Sequence, residues 1–373
     1  LIRKSSLKIV SISAAIGISL TLVVTLLSNQ TAPSPYNPKV TSYSNIQNAT
    51  TTSSLTRPKS NGNVSSDGRG ATTKVAFVRP SFTYAAYQLN GFYNFYAKHE
   101  HVLASTNVTT DLNLLTVKIP SGPVLIYTQN PGDTPAPIRE KEYIDKLIEL
   151  VKSNVPDVQI ADITDKEVDS GLIFSQNGSN AYNVLFLFHQ EYVTPSEYHN
   201  LEKFVQNGGV IVFNDANILT TEVRYDKNNN TVTLVEGHTW KYNGQSAWRA
   251  ESEKWANETR EWVGSNFLQD PTKDNVTFAN NPFGYKHTEE QYATNPSDKI
   301  ILDFLAQVNN ARESAENGGA GAHPTVAIYE LDQGKGKVIS LSIFSYKLVG
   351  NPSFLDYYKT EIIPRAFSSL GQI

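Results

Sequence analysis

Val184-Leu-Phe-Leu-Phe188, Thr194-Pro-Ser-Glu197 and Asn207-Gly-Gly-Val-Ile-Val-Phe213 form the stretch that decides the fold. The first run is apolar at every position, so it has no solvent face; such a strand belongs in a sheet covered by helices on both sides. Thr194 followed by Pro195 and, three residues on, Glu197 reads as a capping box with proline at the first helical position. Tyr198, Leu201, Phe204 and Val205 recur at helical spacing and predict one buried stripe. Asn207-Gly208-Gly209 ends that helix, because glycine enters the left-handed region at little cost. Val210 to Phe213 is a second apolar strand. Strand, helix, strand in this order predicts a parallel, right-handed crossover.

The same rhythm extends outward. Lys74 to Val78 reads as a strand. Thr83 to His99 reads as an aromatic helix whose Tyr84, Tyr87, Phe92, Tyr93, Phe95 and Tyr96 pack a core. Leu115–Ile119, Val124–Thr128 and Val158–Ile163 read as strands. A helix from Arg139 to Ser153 carries Ile144, Leu147, Ile148 and Val151 on one face and is stopped by Pro156. Residues 222–296 break the pattern and read as an insertion, with a hairpin (Val223–Tyr225 and Thr231–Val235) and a helix ending at Gly264. Trp248, Trp255 and Trp262 fall at seven-residue spacing on that helix. They predict either glue between insertion and sheet or a platform for envelope glycans or another surface protein. Beyond the insertion, Ile300, Ile301, Phe304, Leu305 and Val308 predict a helix. A hairpin (Thr325–Leu331 with Lys337–Phe344) and a closing helix (Phe354–Phe367) follow. The expected class is α/β, with a doubly wound, mostly parallel sheet.

Composition narrows the function. The chain has 373 residues, no cysteine and a net charge of −4. Cysteine nucleophiles, disulfides and Cys-ligated zinc are excluded. The absence of a basic surplus argues against nucleic acid as a partner. Arg3, Lys4 and Lys8 precede an uncharged apolar run at 9–27, long enough for a membrane span. The expectation is a single-pass anchor over 1–28 with the N-terminus inside. A signal peptide is the competing reading, though the sequence after Leu27 offers a poor cleavage site. A Ser/Thr/Asn-rich stalk over 29–73 and a main domain over 74–373, extracellular or in the cell envelope, would follow. Asn29, Asn48, Asn63, Asn107, Asn177, Asn229, Asn257 and Asn275 sit in glycosylation sequons.

Tyr192-Val-Thr-Pro-Ser-Glu197, Leu201, Phe204-Val205 and Gly208-Gly-Val-Ile-Val212 resemble the class I glutamine amidotransferase-like superfamily. So do Gly334-Lys-Gly-Lys-Val338, Ser340-Leu-Ser342 and Asn351-Pro-Ser-Phe354 near the end of the chain. The resemblance is to its non-amidotransferase branches, the trehalose-utilisation-type domains and the carboxy-terminal domain of dimethylformamidase. It implies a Rossmann- or flavodoxin-like sheet. The chain departs from the superfamily in having no cysteine nucleophile and no G-x-S-x-G elbow. Ile343-Phe344-Ser345 stands where relatives often have Gly-His. The formamidase-type relatives bind iron through Tyr and Glu near a His-x-Glu. The resemblance assigns that form to His287-Thr-Glu289, with Tyr225 or Glu222, and His238 as a further guess, completing the set. The expectation is no cofactor, with one iron or zinc ion as the alternative.

In open parallel sheets ligands lie over the carboxyl ends of the strands. The polar residues expected there are Gln129, Asn130, Asp162, His189, Gln190, Glu191, Asn214, Asp215, Asn217, Ser342, Ser345 and Tyr346. His189 with Glu191 or Asp215 has the composition of an acid–base site. Three functions remain open: a nucleophile-free domain acting in binding or envelope assembly, a metal-dependent hydrolase of C–N bonds, and a carbohydrate-binding domain.

Overall fold

The computed structural model describes residues 72–87, 109–112, 116–118, 136–216, 218–236, 241–242, 245–246, 255–269, 276–278, 282–284, 289–293, 299–303, 306–308 and 327–368. All belong to one compact unit, Gly68–Ile373. Its centre is a seven-stranded sheet of β1 (Lys74–Arg79), β2 (Gln159–Thr164), β3 (Val184–Leu187), β4 (Val210–Phe213), β5 (Lys299–Asp303), β6 (Ala327–Gln333) and β7 (Gly336–Leu341). The spatial order is β5-β6-β7-β4-β3-β1-β2. From β7 to β2 all neighbours are parallel. The hairpin partner β6 and then β5 add antiparallel strands at the other edge. The molecule is thus a mixed α/β structure.

β3 and β4 are buried at every residue because the sheet is covered on both faces. On one face Val75, Phe77, Phe186 and Val212 meet Tyr143, Ile144, Leu147 and Val151 of helix α2, together with the C-terminal helical segment. On the other, Ala76, Leu185, Leu187, Ile211 and Phe213 meet Tyr198, Leu201, Phe204 and Val205. The helices are α1 (Ser81–Tyr87), α2 (Ala136–Asn154), α3 (Asp165–Asp169), α4 (Pro195–Gln206), α5 (Ala256–Trp262) and α6 (Pro352–Tyr357), which continues through a π-turn (Tyr358–Ile362) into α7 (Ile363–Phe367). Pro364 has no N–H to give the helical ladder, and the wide turn lies directly before it.

α4 begins and ends as its residues dictate, with one difference. Thr194 Oγ1 accepts from the Glu197 N–H at 3.0 Å, but the Glu197 carboxylate makes no return bond to the cap and is buried instead. At the other end the Gly209 N–H bonds the Phe204 carbonyl and the Gly208 N–H that of Val205, the double closure of a Schellman motif, with Gly208 at φ +97°. A complete capping box occurs at α3, where Thr164 and Glu167 bond reciprocally.

Several expectations change. Residues 299–308, read as a helix, form β5 and a second short strand, Ala306–Val308. The pairing of β5 on β6 is non-local and overrides the helical spacing of Ile300, Ile301 and Phe304. The aromatic helix is described over Ser81–Tyr87, its remainder lying outside the described residues. Leu115–Ile119 contains the strand Thr116–Lys118, whereas Val124–Thr128 lies outside them. The hairpin of the insertion forms as Thr221–Asp226 and Thr231–Glu236. It belongs to a second, five-stranded sheet with Thr109–Asp111, Thr116–Lys118 and Tyr192–Val193.

The tryptophan helix is short. Trp255 precedes α5 in a left-handed conformation and stacks on Tyr198 at 4.4 Å. Trp262 is buried, its Nε1–H donating to the Tyr198 hydroxyl at 2.9 Å. Both rings join α5 to α4, and Trp248 lies outside the described residues. The expected surface platform for glycans or another protein is corrected accordingly. The membrane expectation is corrected as well. Among the described residues no helix is long and apolar enough to cross a bilayer, and 9–27 lies outside them. The membrane as partner, the single-pass topology and the outward placement are therefore withdrawn.

Candidate functional site at the carboxyl ends of the strands

The chain leaves β3 through Phe188 and turns tightly at His189, where the Gln190 N–H reaches the Phe188 carbonyl at 2.8 Å. The segment after β4 then returns to hold it. The Leu219 N–H bonds the Gln190 carbonyl at 2.7 Å, and the Thr220 and Thr221 N–H groups bond that of Glu191 at 3.2 and 3.0 Å. Residues 189–191 are thus fixed by their backbone before any side chain contributes.

α1, following β1, reaches the same place. Thr83 and Tyr87 are one turn apart and share a face. Thr83 Oγ1 accepts from the Tyr192 N–H at 3.1 Å, and the Tyr87 hydroxyl donates to Glu191 Oε2 at 2.5 Å. His189 Nε2 lies 3.3 Å from the same oxygen. Glu191 is fully buried, while the His189 side chain keeps 14% of its exposure. The imidazole is held edge-on by Phe344 at 5.3 Å and faces Tyr87 at 5.7 Å. Phe344 therefore packs the histidine. The carboxylate stands beside that imidazole nitrogen without hydrogen-bond geometry, so the ring's place is set by the flanking Phe344 and Tyr87 rings.

The other expected residues take different places. Gln190 is buried, its Oε1 accepting from the Phe188 N–H at 3.2 Å. Asn214 ties the strand ends together: its Nδ2–H bonds the Leu187 carbonyl at 2.9 Å and its Oδ1 accepts from the Tyr358 hydroxyl at 2.6 Å. Burial holds Tyr358 well above the usual phenol range, against the pull of that bond, so it remains a donor. Asp215 is fully buried. Ser342 pairs with Ser340 at 3.0 Å, Ser345 is buried, and Tyr346 packs edge-on against Phe344. Asp162 is engaged by Arg79, which also binds Asp145 at 2.8 Å. Gln129, Asn130 and Asn217 lie outside the described residues.

Of the residues named for a metal, Glu222 and Tyr225 point to opposite faces of one strand. Tyr225 donates to Asn230 at 3.0 Å and packs on Phe82. His238, His287 and the side chain of Glu289 lie outside the described residues. The chain has a second His-x-Glu, however, and it is His189-Gln190-Glu191. With Tyr87 it brings a phenol, a carboxylate and an imidazole together, the donor types implied for an iron site. Two converging oxygens in a buried setting fit a hard ion in part. Among the described residues no group of three His, Cys, Asp or Glu completes a shell. The sequence reading missed Tyr87, which is 104 positions from Glu191. The usable signal was the His-x-Glu form directly after an apolar strand. Of the sequon asparagines, Asn177, Asn229 and Asn257 are exposed, and Asn29, Asn48, Asn63, Asn107 and Asn275 lie outside the described residues.

Fold and site together define a mixed α/β domain whose polar cluster sits at the strand ends, with imidazole, carboxylate and phenol and no thiol. More specifically, the chain belongs to the family described as N,N-dimethylformamidase beta subunit-like, C-terminal, whose model matches residues 53–335. No curated protein matches the sequence. Among solved structures it is similar to a β-galactosidase from Bacillus circulans sp. alkalophilus, at 14% identity and a TM-score of 0.32, over 66% of this chain and 29% of that one. An exo-β-1,4-mannosidase from Opitutaceae bacterium strain TAV5 gives 13% identity and a TM-score of 0.31, over 67% and 34%. A cytoplasmic protein from Salmonella typhimurium LT2 gives 9% and 0.35, over 79% and 99%. The chain spans about a third or less of the two glycosidases. Likenesses this shallow carry no argument about activity.

Proposed function

We propose that this is an amidotransferase-like domain without the thiol nucleophile, related in function to amide C–N hydrolases, with its site at Tyr87, His189 and Glu191. The observation that carries the reading is the 2.5 Å phenol–carboxylate contact beside an oriented imidazole, in a chain of the dimethylformamidase-like family. Tyr87 and Glu191 are the residues that would hold an iron or zinc ion. Such an ion supplies Lewis acidity and a water of lowered pKa. His189, beside Glu191 at 3.3 Å and partly open, is the group that would carry a proton at the substrate side. Phe344 and Tyr87 wall the imidazole on two sides.

The test uses the full chain, purified without chelator, with metal content and hydrolysis of N,N-dimethylformamide as readouts. Bound iron or zinc lost in Glu191→Gln and Tyr87→Phe, with activity falling at least about 100-fold in His189→Gln, supports the reading. Hydrolysis unchanged in all three variants, or no ion and no hydrolysis in the wild type, overturns it. The second reading, a domain that binds a polar ligand without turning it over, is favoured by the absence of any cysteine. Saturable binding with no product would select it.

A further inference from the structure

α1 is fastened at both ends. Its first turn is held by Asp165 of α3, which accepts from the Phe82 N–H at 2.7 Å and from the Ser81 hydroxyl. Its far side is the Thr83–Tyr192 and Tyr87–Glu191 clamp. Beside Asp165, on α4, stands Glu197, fully buried, with neither carboxylate oxygen hydrogen-bonded. The nearest donors, the Thr194 N–H and the Gln190 amide, do not reach hydrogen-bond geometry, so the ionised carboxylate is poorly compensated there and the protonated one is favoured.

Among the described residues, the groups that act on Glu197 include no cation. On α3, Asp169 adds a negative charge but is taken up by Thr194 at 2.6 Å and Lys227 at 3.1 Å, and Glu167 caps Thr164. Lys166 reaches Asn230 at 3.0 Å from the hairpin side, where the Tyr225 ring packs on Phe82, and its charge favours an ionised Asp165, not Glu197. On the β3 side the neighbour is the Gln190 amide, between the two site residues in sequence.

We propose that Asp165 and Glu197 together hold one proton, and that losing it loosens α1 and withdraws the Tyr87 phenol from Glu191. Asp165 keeps the charge, because it has two donors, and Glu197 keeps the proton. Burial raises both carboxyls above the usual carboxylate range, and the Asp165 and Asp169 charges raise Glu197 further. When both ionise, the element that gives way is α1. α3 and α4 are tied to each other through Thr194–Asp169 and through the Asn200 amide on the Val168 carbonyl at 2.8 Å. α1 is a seven-residue helix. Its release would make the site competent at low pH and slack at high pH. That regulatory meaning rests on the function proposed above; the structural claim does not.

The test is amide hydrogen exchange of the full chain between pH 6 and 8.5, corrected for the intrinsic pH dependence, with β3 as internal reference. Protection over residues 82–87 should fall about tenfold or more relative to β3. In Glu197→Gln, and separately in Asp165→Asn, which keeps an acceptor for the Phe82 N–H, it should stay flat. Parallel behaviour of α1 and β3, or a fall that persists in Glu197→Gln, overturns the proposal. If either variant fails to fold, the wild-type comparison of α1 with β3 decides. Absence of metal or amidase activity would defeat the proposed function and leave this result untouched.

Discussion

Replacing Gly336 by alanine tests the corner on which the crossover is built. Gly336 opens β7 where α4 ends, and a Cβ there would lie 2.2 Å from the Val205 carbonyl oxygen and 2.3 Å from that of Gly209. Both are backbone atoms in use. Val205 O accepts from the Gly208 N–H at 2.9 Å in the helix cap, and Gly209 O accepts from the Lys337 N–H at 3.1 Å. Restoring ordinary contact needs the strand and the helix end to separate by about 1 Å. Overpacking of that kind costs about 1–3 kcal/mol. Weakening the two hydrogen bonds adds about 1 kcal/mol each. The expected loss is about 3–5 kcal/mol, lowering the melting temperature by about 6–12 °C for a domain of this size. Two other glycines separate the causes. Gly178 has φ +82° and nothing within 4 Å of a Cβ, so its alanine variant should lose about 1–2 kcal/mol to backbone strain alone. Gly350 has open space and an ordinary φ, and its variant should stay within about 0.5 kcal/mol of wild type. Thermal melts followed by circular dichroism rank the three. A Gly336→Ala protein that melts with wild type, or no lower than Gly178→Ala, would refute the claim that α4 and β7 meet backbone to backbone.

Tyr198→Phe should destabilise by about 1–3 kcal/mol in urea melts, because the buried Trp262 Nε1–H loses its acceptor; an unchanged midpoint would mean α5 is not held by that bond. Gly208→Val should cost about 1 kcal/mol or more, since a β-branched residue sits poorly at φ +97°. For pH, Glu197 and Asp165 have folded-state values raised above the unfolded ones, so the folded protein binds more protons and their contribution falls as pH rises. Glu197→Gln should therefore match wild type near pH 5 and be the more stable of the two near pH 8, as read by urea melts at the two pH values. A variant less stable than wild type at pH 8 would contradict this.

What the sequence by itself determined was local. The apolar runs at 184–188 and 210–213, the Thr194–Pro195 start and the Gly208–Gly209 stop specify β3, α4 and β4, because capping, helical period and left-handed glycine act over a few residues. The strand ends as the place to look for a site followed from that order, and His189 and Glu191 were readable as candidates there. The tertiary structure decided everything that depends on distant pairing. Ile300 and Ile301 have a spacing compatible with a helix and become strand because β6 offers an edge. Trp255 and Trp262 are committed to Tyr198, which the periodicity alone left undecided between core and surface. Glu197 has the sequence of a cap and the position of a buried acid, since α3 stands where solvent would otherwise be. Tyr87 joins Glu191 across 104 residues only because β1 and β3 are neighbours and α1 lies over their ends. Chain order encodes no such adjacency; it arises when burying both faces of the sheet brings separate segments together.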